Sequence, residues 1–188
     1  TKYDAFDRPV YNGIFNDSRD RQQIQTEIYN YPNNGYELAE QRVSSANAFN
    51  NGGLNIFYTN NAFPENNSNM EVLTVNYYDD YDFDTQGIAL NTSGSAKVPM
   101  ASNLEYNDSS DFTERTKTLS TGSHVKVLDT DQWITTVTLY DDKARPIYTH
   151  SKNDFLGTED ITNIELDFVG NTLQTHNKHI SNGNTTVI

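Results

Sequence analysis

The sequence contains no cysteine, which excludes disulfide bridges, thiolate metal sites and cysteine nucleophiles. Basic residues are scarce: 13 Lys and Arg stand against 26 Asp and Glu, for a formal net charge of -13. A nucleic-acid-binding protein needs a basic surface, so we expect no nucleic-acid partner. No apolar run approaches the ~20 residues of a transmembrane helix, so we expect no membrane span.

Aromatic residues are plentiful, with 12 Tyr and 9 Phe, and these side chains can bury enough area to fold the chain. The abundance of Asn, Thr, Tyr and Asp favours strands and turns over helices, so we predict a mostly β fold. The 188 residues suit one domain or a piece of a larger one. Because the chain starts at Thr1 without Met and stops at Ile188, we interpret residues 1–188 as a single internal segment of a longer polypeptide.

The sequence of residues 1–81 predicts a hairpin, a short helix and two strands. Residues 1–16 have the pattern of a hairpin, and residues 18–30 that of a helix capped by Asp17 or Ser18. Residues 36–48 fit either a helical face or a strand. Residues 54–58 alternate as a short strand, and residues 72–81 form a second one rich in Val and Tyr.

The sequence of the remaining residues predicts one irregular region followed by a series of strands and hairpins. Residues 85–121 are poor in large apolar side chains, so we predict an irregular excursion over the surface. Three strands then follow at residues 124–128, 133–141 and 147–152, and a last hairpin at residues 161–168 and 172–176. The polar tail from Ser181 onward is predicted to fray.

A short pattern recurs at identical spacing. Its first copy contains Tyr3, Asp4, Arg8 and Pro9, and its second contains Tyr140, Asp141, Arg145 and Pro146. A weaker third copy contains Asp167 and Gly170, and Tyr78-Asp79 begins a fourth. In each copy we expect the Tyr to end a strand and the Asp to accept backbone N–H groups across a turn. Such hairpins cannot be stable alone, so they must stack into a continuous sheet.

These stretches resemble the YD repeat of RHS-type proteins, in which Tyr-Asp is followed by two or three residues, Gly-Arg and a strand. Residues 58–64, 75–79 and 139–147 further resemble the long RHS-like surface proteins of Gram-negative bacteria that use type 9 secretion. This second resemblance covers nearly the whole chain. Asp7 and Ala144 stand where the repeat has Gly, which only Gly170 keeps. We therefore expect the first two turns to differ from the third in backbone geometry.

The resemblance implies a strip of antiparallel β-hairpins in the wall of a hollow YD-repeat shell, secreted or displayed on the outer surface of a Gram-negative bacterium. The implied partners are neighbouring repeats of the same parent chain, the secretion machinery and an enclosed C-terminal toxin domain. No residue of this chain matches the toxin or the self-cleaving core of such proteins. The implied role is structural and not enzymatic.

Three aspartates, Asp80, Asp82 and Asp84, superficially resemble a calcium loop, since Ca²⁺ prefers clustered carboxylates. An EF-hand needs Gly at the sixth position and Glu at the twelfth, where this sequence has Thr85 and Asn91. We therefore favour a strand whose aspartates face solvent over a calcium site.

Other candidates for chemistry are weaker still. His176 and His179 lack nearby residues that would complete a metal-ligand set, and no Gly-x-Ser-x-Gly motif supports a serine nucleophile. We therefore predict no catalytic residue, no metal and no cofactor. The strongest alternative function is glycan binding through exposed Tyr, Trp133 and Asn side chains, although Trp133 lies in an alternating strand that favours a core position.

Overall fold

The computed structural model describes residues 1–32, 37–65, 67–89, 116–141 and 143–187, and this part of the chain is mostly β. Its strands are β1 (Lys2–Tyr3), β2 (Pro9–Phe15), β3 (Phe49–Asn51), β4 (Leu54–Ile56), β5 (Met70–Tyr78), β6 (Ser120–Lys126), β7 (Trp133–Tyr140), β8 (Pro146–Asn153), β9 (Thr158–Leu166), β10 (Thr172–Ser181) and β11 (Asn184–Val187). The described helices are α1 (Arg21–Asn30) and two single 3₁₀ turns at Ser45–Asn47 and Asn67–Asn69.

The described strands form two sheets. Nine of them are hydrogen-bonded neighbours in the order β1-β2-β5-β6-β7-β8-β9-β10-β11, and β3 and β4 form a separate hairpin. Successive antiparallel strands alternate in direction, so the connections β5/β6, β7/β8 and β9/β10 leave the sheet at the same end. The prediction of a mostly β chain built from antiparallel hairpins is confirmed.

The chain divides into two compact units. The first comprises Thr1–Val75 and Lys126–Asp131, and the second Asn76–Val125 and Gln132–Ile188. Each unit has its own buried apolar side chains. Those of the first are Val10, Tyr11, Tyr31, Leu54, Ile56, Phe57, Tyr58, Ala62, Val72 and Val75. Those of the second are Tyr77, Phe83, Ile88, Trp133, Val137, Leu139, Ile147 and Tyr148.

Burial along the second unit declines toward the last strands. In β7 every second side chain is buried, beginning with Trp133, which is the pattern of a strand with one face on a core. All of β11 is exposed, and so is most of β10, including Leu173 at 62%. These strands are held by backbone pairing with their neighbours and bury little apolar area.

The short helix predicted within residues 18–30 is confirmed, but its cap is Asp20 and not Asp17 or Ser18. Asp20 Oδ1 accepts the Gln23 N–H at 2.8 Å, and Gln23 Oε1 accepts the Asp20 N–H at 3.1 Å. This reciprocal capping box satisfies two N–H groups that a helix start leaves unpaired. The Asp17 carboxylate is instead bound to the Arg19 guanidinium.

Three other expectations need correction. Residues 37–48 form neither a helical face nor a strand, but isolated bridges at Glu40 and Arg42 and a 3₁₀ turn. The strand predicted at residues 72–81 ends at Tyr78, because Asp79 has a φ of 76°. The tail predicted to fray pairs with β10 as strand β11, since Asn182 and Gly183 both adopt the positive φ of a tight hairpin turn.

The predicted excursion at residues 85–121 lies mostly outside the described residues, which omit 90–115. Its described ends are ordered by specific contacts. Ile88 is buried, and its N–H donates to Thr85 O at 3.0 Å. At the other end, residues 120 and 121 already belong to strand β6.

Candidate functional site: the aspartate turns

Three hairpin turns contain the same carboxylate-centred hydrogen bonds. In each, one oxygen of an Asp at position i accepts the backbone N–H groups of residues i+2 and i+4, at 2.8 to 3.0 Å. The turns also share two backbone bonds, from the Asp N–H to the carbonyl of i+4 and from the N–H of i+3 to the Asp carbonyl. The three turns are residues 4–8, 141–145 and 167–171.

The second carboxylate oxygen binds the side chain at position i+4. Arg8 Nε donates to Asp4 at 2.7 Å, and Arg145 Nε donates to Asp141 at 2.6 Å. In the third turn Asn171 Nδ2 donates to Asp167 at 2.8 Å and takes the place of the arginine. Each Asp therefore closes its turn with three hydrogen bonds, and charge-assisted bonds of this kind are stronger than neutral ones.

The expected difference in backbone geometry at Asp7 and Ala144 is one of degree. Position i+3 has a positive φ in all three turns, but it is 61° for Asp7 and 60° for Ala144 against 99° for Gly170. The shared hydrogen bonds hold the non-glycine residues in this left-handed conformation, which glycine adopts more readily. A Cβ on Gly170 would lie 3.2 Å from Arg145 Nη1, so glycine at this position also leaves room for that guanidinium.

The strands beside the three turns share one irregularity. Tyr3 pairs with Pro9, Tyr140 pairs with Pro146 and Leu166 pairs with Thr172, and in each hairpin the register shifts immediately afterward. One residue of the returning strand is therefore bulged. Such a bulge increases local strand twist and fixes the register of the hairpin.

The fourth copy, at Tyr78-Asp79, is an opened version of the same turn. The Asp79 N–H donates to Leu119 O at 3.1 Å, which matches the bond from Asp to position i+4 in the closed turns. The Thr118 N–H donates to Asp79 Oδ1 at 2.6 Å, and Thr118 has a positive φ of 71°, like position i+3. The long stretch between Asp79 and Thr118 is thus inserted into a turn whose two halves still meet.

Neighbouring turns are bonded to each other. Arg145 Nη1 donates to Asp167 O at 3.2 Å, and Lys143 Nζ donates to Phe168 O at 2.6 Å while lying 3.6 Å from the centre of the Phe168 ring. Tyr140 donates its hydroxyl to Ser120 O at 2.6 Å. Residues in and beside the second turn therefore bond to both neighbours of the β7/β8 hairpin, which are strand β6 on one side and the third turn on the other.

Two of these carboxylates have pKa values below the ordinary range. Burial raises the pKa of Asp141, but its hydrogen bonds from Arg145 and Lys143 outweigh burial and lower the pKa overall. The hydrogen bond from the Asn171 side chain and those from nearby backbone N–H groups lower the pKa of Asp167. Both groups are therefore ionised acceptors at neutral pH.

The calcium candidates lie in a loop and not in the expected strand. Asp80 Oδ1 accepts the Asp82 N–H, and Asp84 Oδ1 accepts the Gln86 N–H, both at 3.0 Å. These local bonds replace strand pairing after Tyr78. Phe83, which lies between Asp82 and Asp84, is buried, and its ring stacks on that of Tyr77 with 4.4 Å between the ring centres. Among the described residues, no cluster of three or more His, Asp or Glu side chains could hold a metal ion.

The histidine pair lies within strand β10. His179 Nδ1 contacts Asp160 Oδ1 at 2.6 Å on the neighbouring strand, and both side chains are at least half exposed. A separation of three residues in a strand places His176 and His179 on opposite faces of the sheet, so the two imidazoles do not converge.

Sequence reasoning missed a buried polar cluster in the first unit. The Lys2 ammonium donates to Glu40 Oε1 at 2.9 Å, to Ala62 O at 2.7 Å and to Asn60 Oδ1. The side chains of Lys2 and Glu40 are only 4% and 0% exposed. Nothing in the local sequence signals this cluster, because Lys2 and Glu40 are 38 residues apart and each has a polar context.

A cavity of about 460 Å³ also lies in the first unit. Part of its wall is aromatic, where the rings of Phe15 and Phe63 pack edge to face with 6.0 Å between their centres. The rest is polar: Arg19 binds both oxygens of Asp17, at 2.9 and 3.0 Å from Nε, and its Nη1 binds Glu27. Sequence reasoning did not single out these residues, which come together only through the tertiary fold.

Comparison with family models, with curated proteins and with solved structures found no match to this chain. Among the described residues, no helix has both the length and the apolar character that crossing a bilayer requires. The class that the structure defines is an antiparallel β protein whose repeated feature is the aspartate turn.

Proposed function

We propose that this chain is a non-catalytic structural segment of a large secreted or surface-displayed YD-repeat protein, in which it forms part of the wall of a β-shell. The repeated aspartate turn carries the proposal, because the same hydrogen bonds recur at Asp4, Asp141 and Asp167. A recurring turn of fixed geometry is what a protein needs in order to stack hairpins at a regular spacing. Enclosure of a C-terminal toxin and export by type 9 secretion belong to the same proposal and rest on the resemblance alone.

The exposed strands at the end of the second unit support this role. Strands β10 and β11 expose both faces, and β11 leaves one edge unpaired among the described strands. Exposed edges template further pairing unless a neighbour covers them. A wall segment whose sheet continues into the next repeat of the parent chain accounts for this exposure.

Hydrogen exchange tests the proposal by comparing this 188-residue chain with the longer parent protein. We expect the backbone amides of β11 to exchange quickly in the isolated chain and to be protected in the parent, because a further strand would cover that edge. Amides of β7 serve as an internal control, since β7 is paired on both sides in this chain. Equal exchange of β11 in both proteins would contradict the proposal.

A second candidate function is glycan binding, and the cavity beside Phe15 and Phe63 favours it. Aromatic rings stack on the apolar faces of sugars, while carboxylates and a guanidinium bind the hydroxyl groups. The bonds from Arg19 lower the pKa of Asp17 to about 2, so this carboxylate is an acceptor throughout the physiological range. Because three carboxylates, with Glu65, line the cavity beside one arginine, we expect neutral or amino sugars and not acidic ones.

A glycan array probed with the 188-residue chain, followed by calorimetric titration of any sugar that binds, tests this second function. We expect Phe63→Leu and Asp17→Asn each to weaken binding about tenfold, or 1.4 kcal/mol. Phe155→Leu is the matched control, because Phe155 is 54% exposed and belongs to the second unit. An array without hits, or affinities that neither cavity variant changes, would rule out this site.

A further inference from the structure

The Lys2 side chain occupies an unusual position for an amine. The three N–H groups of its ammonium donate to Glu40 Oε1, Ala62 O and Asn60 Oδ1, and the side chain is 4% exposed. The Tyr11 ring covers it at 5.2 Å. A buried amine therefore lies against the side-chain amide of an asparagine, with a buried carboxylate in contact with the same nitrogen.

We propose that Lys2 and Asn60 join in an intramolecular isopeptide bond, and that Glu40 transfers the protons. The Lys2 nitrogen contacts Asn60 Oδ1, and the carbon it would attack, Cγ, is one carbonyl bond of about 1.2 Å from that oxygen. Only a small movement is needed to bring nitrogen and carbon together. Holding two reactants in this way converts a slow bimolecular reaction into an intramolecular one.

Glu40 is placed to act as the base. Its Oε1 accepts from Lys2 at 2.9 Å, which is within reach of direct proton transfer. Burial lowers the pKa of Lys2, and the hydrogen bond and charge of Glu40 only partly offset this effect. The neutral amine, which is the nucleophilic form, is therefore more accessible here than in a solvated lysine.

Tyr11 is placed to stabilise the charge that develops on the amide oxygen. Its hydroxyl lies 3.2 Å from Asn60 Oδ1 and 3.0 Å from Thr59 O, and its single proton can be donated to either oxygen. Burial and the nearby Glu40 charge raise the pKa of Tyr11, so the hydroxyl keeps its proton. A fixed donor aimed at the oxygen of a tetrahedral intermediate lowers the barrier to acyl transfer. The departing nitrogen, Asn60 Nδ2, is held by Glu65 O at 2.9 Å.

The reaction balances without any co-reactant. Glu40 takes a proton from the Lys2 ammonium, and the free amine attacks Asn60 Cγ to form a tetrahedral intermediate. The bond between Cγ and Nδ2 then breaks as Glu40 passes this proton to Nδ2, which leaves as ammonia. Glu40 takes the second proton from the former amine and releases it to solvent, so the carboxylate is regenerated. One amide replaces another, and the chain loses the mass of one ammonia molecule.

The bond would cross-link positions 58 residues apart in a chain that has no cysteine. Closing a loop of this length restricts the unfolded chain, as a disulfide does. The cross-link would tie β1 to the segment after Tyr58 and so fasten the first aspartate turn, at Asp4, to the rest of the first unit.

Intact mass spectrometry of the purified 188-residue chain tests the proposal. We expect a mass below the sequence mass by one ammonia, and a proteolytic fragment in which the Lys2 and Asn60 peptides remain joined. Asn60→Ala and Lys2→Met should each restore the full mass of their sequence, while Asn60→Asp should lose water in place of ammonia. Lys126→Met is the matched control, because Lys126 also contacts a carboxylate, Glu71 Oε1 at 2.9 Å, and should keep the loss.

Glu40→Gln separates chemistry from folding. The Gln oxygen can still accept from Lys2 and from the Ala62 N–H, while its NH₂ group replaces the acceptor of Thr59 Oγ1 and the Asn61 N–H. We expect this variant to be less stable but to keep a folded near-ultraviolet spectrum, and to lose most of the cross-link. Succinimide formation at an Asn-Gly pair would also release ammonia, and peptide mapping distinguishes it. The sequence has four such pairs, Asn12-Gly13, Asn34-Gly35, Asn51-Gly52 and Asn182-Gly183. A wild-type chain with its full sequence mass, or an ammonia loss that persists in Asn60→Ala, overturns the proposal and leaves Lys2 and Glu40 as an ordinary buried ion pair.

Discussion

Replacing Asp141 with alanine is expected to lower the free energy of unfolding by about 3 kcal/mol. The Asp141 side chain is 2% exposed and accepts three hydrogen bonds, from the Lys143 and Arg145 N–H groups and from Arg145 Nε. Alanine would leave both N–H groups and a partly buried guanidinium without this acceptor. The cost of an unsatisfied buried group exceeds the net gain from an ordinary hydrogen bond.

The structure offers a matched control for this prediction. Asp167 makes the corresponding three bonds, but the residue is only partly buried and the bonds are open to solvent, so water can replace them in part. We therefore expect Asp167→Ala to destabilise the chain less than Asp141→Ala. Asp141→Asn should fall between wild type and alanine, because its amide oxygen can still accept the two N–H groups while its NH₂ group opposes Arg145.

Urea unfolding followed by circular dichroism measures these differences. Equal losses for Asp141→Ala and Asp167→Ala would show that burial does not strengthen the turn. No loss for Asp141→Ala would contradict the assignment of a structural role to the aspartate turns, since the proposed wall depends on them. Neither outcome bears on the isopeptide bond, which concerns the first unit.

Lowering the pH from 6.5 to 4 is expected to cost about 3 kcal/mol of stability through His124 alone. His124 is fully buried, and its imidazole packs against the rings of Tyr77, Phe83 and Trp133 at 5.6 to 6.3 Å. Its Nδ1 shares a hydrogen bond with Thr135 Oγ1 at 2.9 Å. Burial lowers the pKa of His124 to about 4, although the charges of Asp84 and Asp154 act in the opposite direction.

The direction of the effect follows from proton binding in the two states. An unfolded chain protonates this histidine near pH 6.5, whereas the folded chain binds the proton only near pH 4. Between these values the unfolded state holds more protons, so stability falls as the pH falls. Above pH 6.5 both states are neutral, and His124 contributes no pH dependence. Below about pH 4, protonation of Asp141 adds a separate loss, because its pKa is lowered in the folded state.

Urea unfolding at several pH values, for wild type and for His124→Phe, measures this contribution. Phe fills a similar volume without titrating, so the variant should have a flatter stability profile between pH 6.5 and 4. His179→Gln is the control, because His179 is half exposed and its contact with Asp160 is weakened by solvent. Equal slopes for wild type and His124→Phe would show that His124 does not control acid stability.

The hairpins and their turns could be predicted from the sequence because their determinants are local. Asp and the residue four positions later bond directly, so the spacing of Asp141 and Arg145 is enough to indicate the turn. Local reasoning was weaker where one interaction could replace another. Hydrogen bonds maintain the positive φ at Ala144, although a non-glycine residue at this position does not indicate one. Strand β5 ends at Tyr78, earlier than predicted, because Asp79 and Asp80 form loop contacts in place of strand pairing.

Features built from distant positions could not be predicted in this way. The opened turn brings Asp79 to Thr118, which lies 39 residues further along the chain. In the sequence Lys2, Glu40 and Asn60 are ordinary polar residues, and only the fold removes them from water and places them in contact. Burial also converts His124 from a common titrating side chain into a neutral core residue.

The sequence by itself determined the β character of the chain, its hairpins and the repeated aspartate turns, since these depend on residue type and on spacings of a few positions. The tertiary structure decided which of the matching turns is buried, which is opened by an insertion and which polar side chains become neighbours. The physical reason is that burial and long-range contact set the strength of a carboxylate's bonds and the reactivity of an amine, and neither is a property of local sequence.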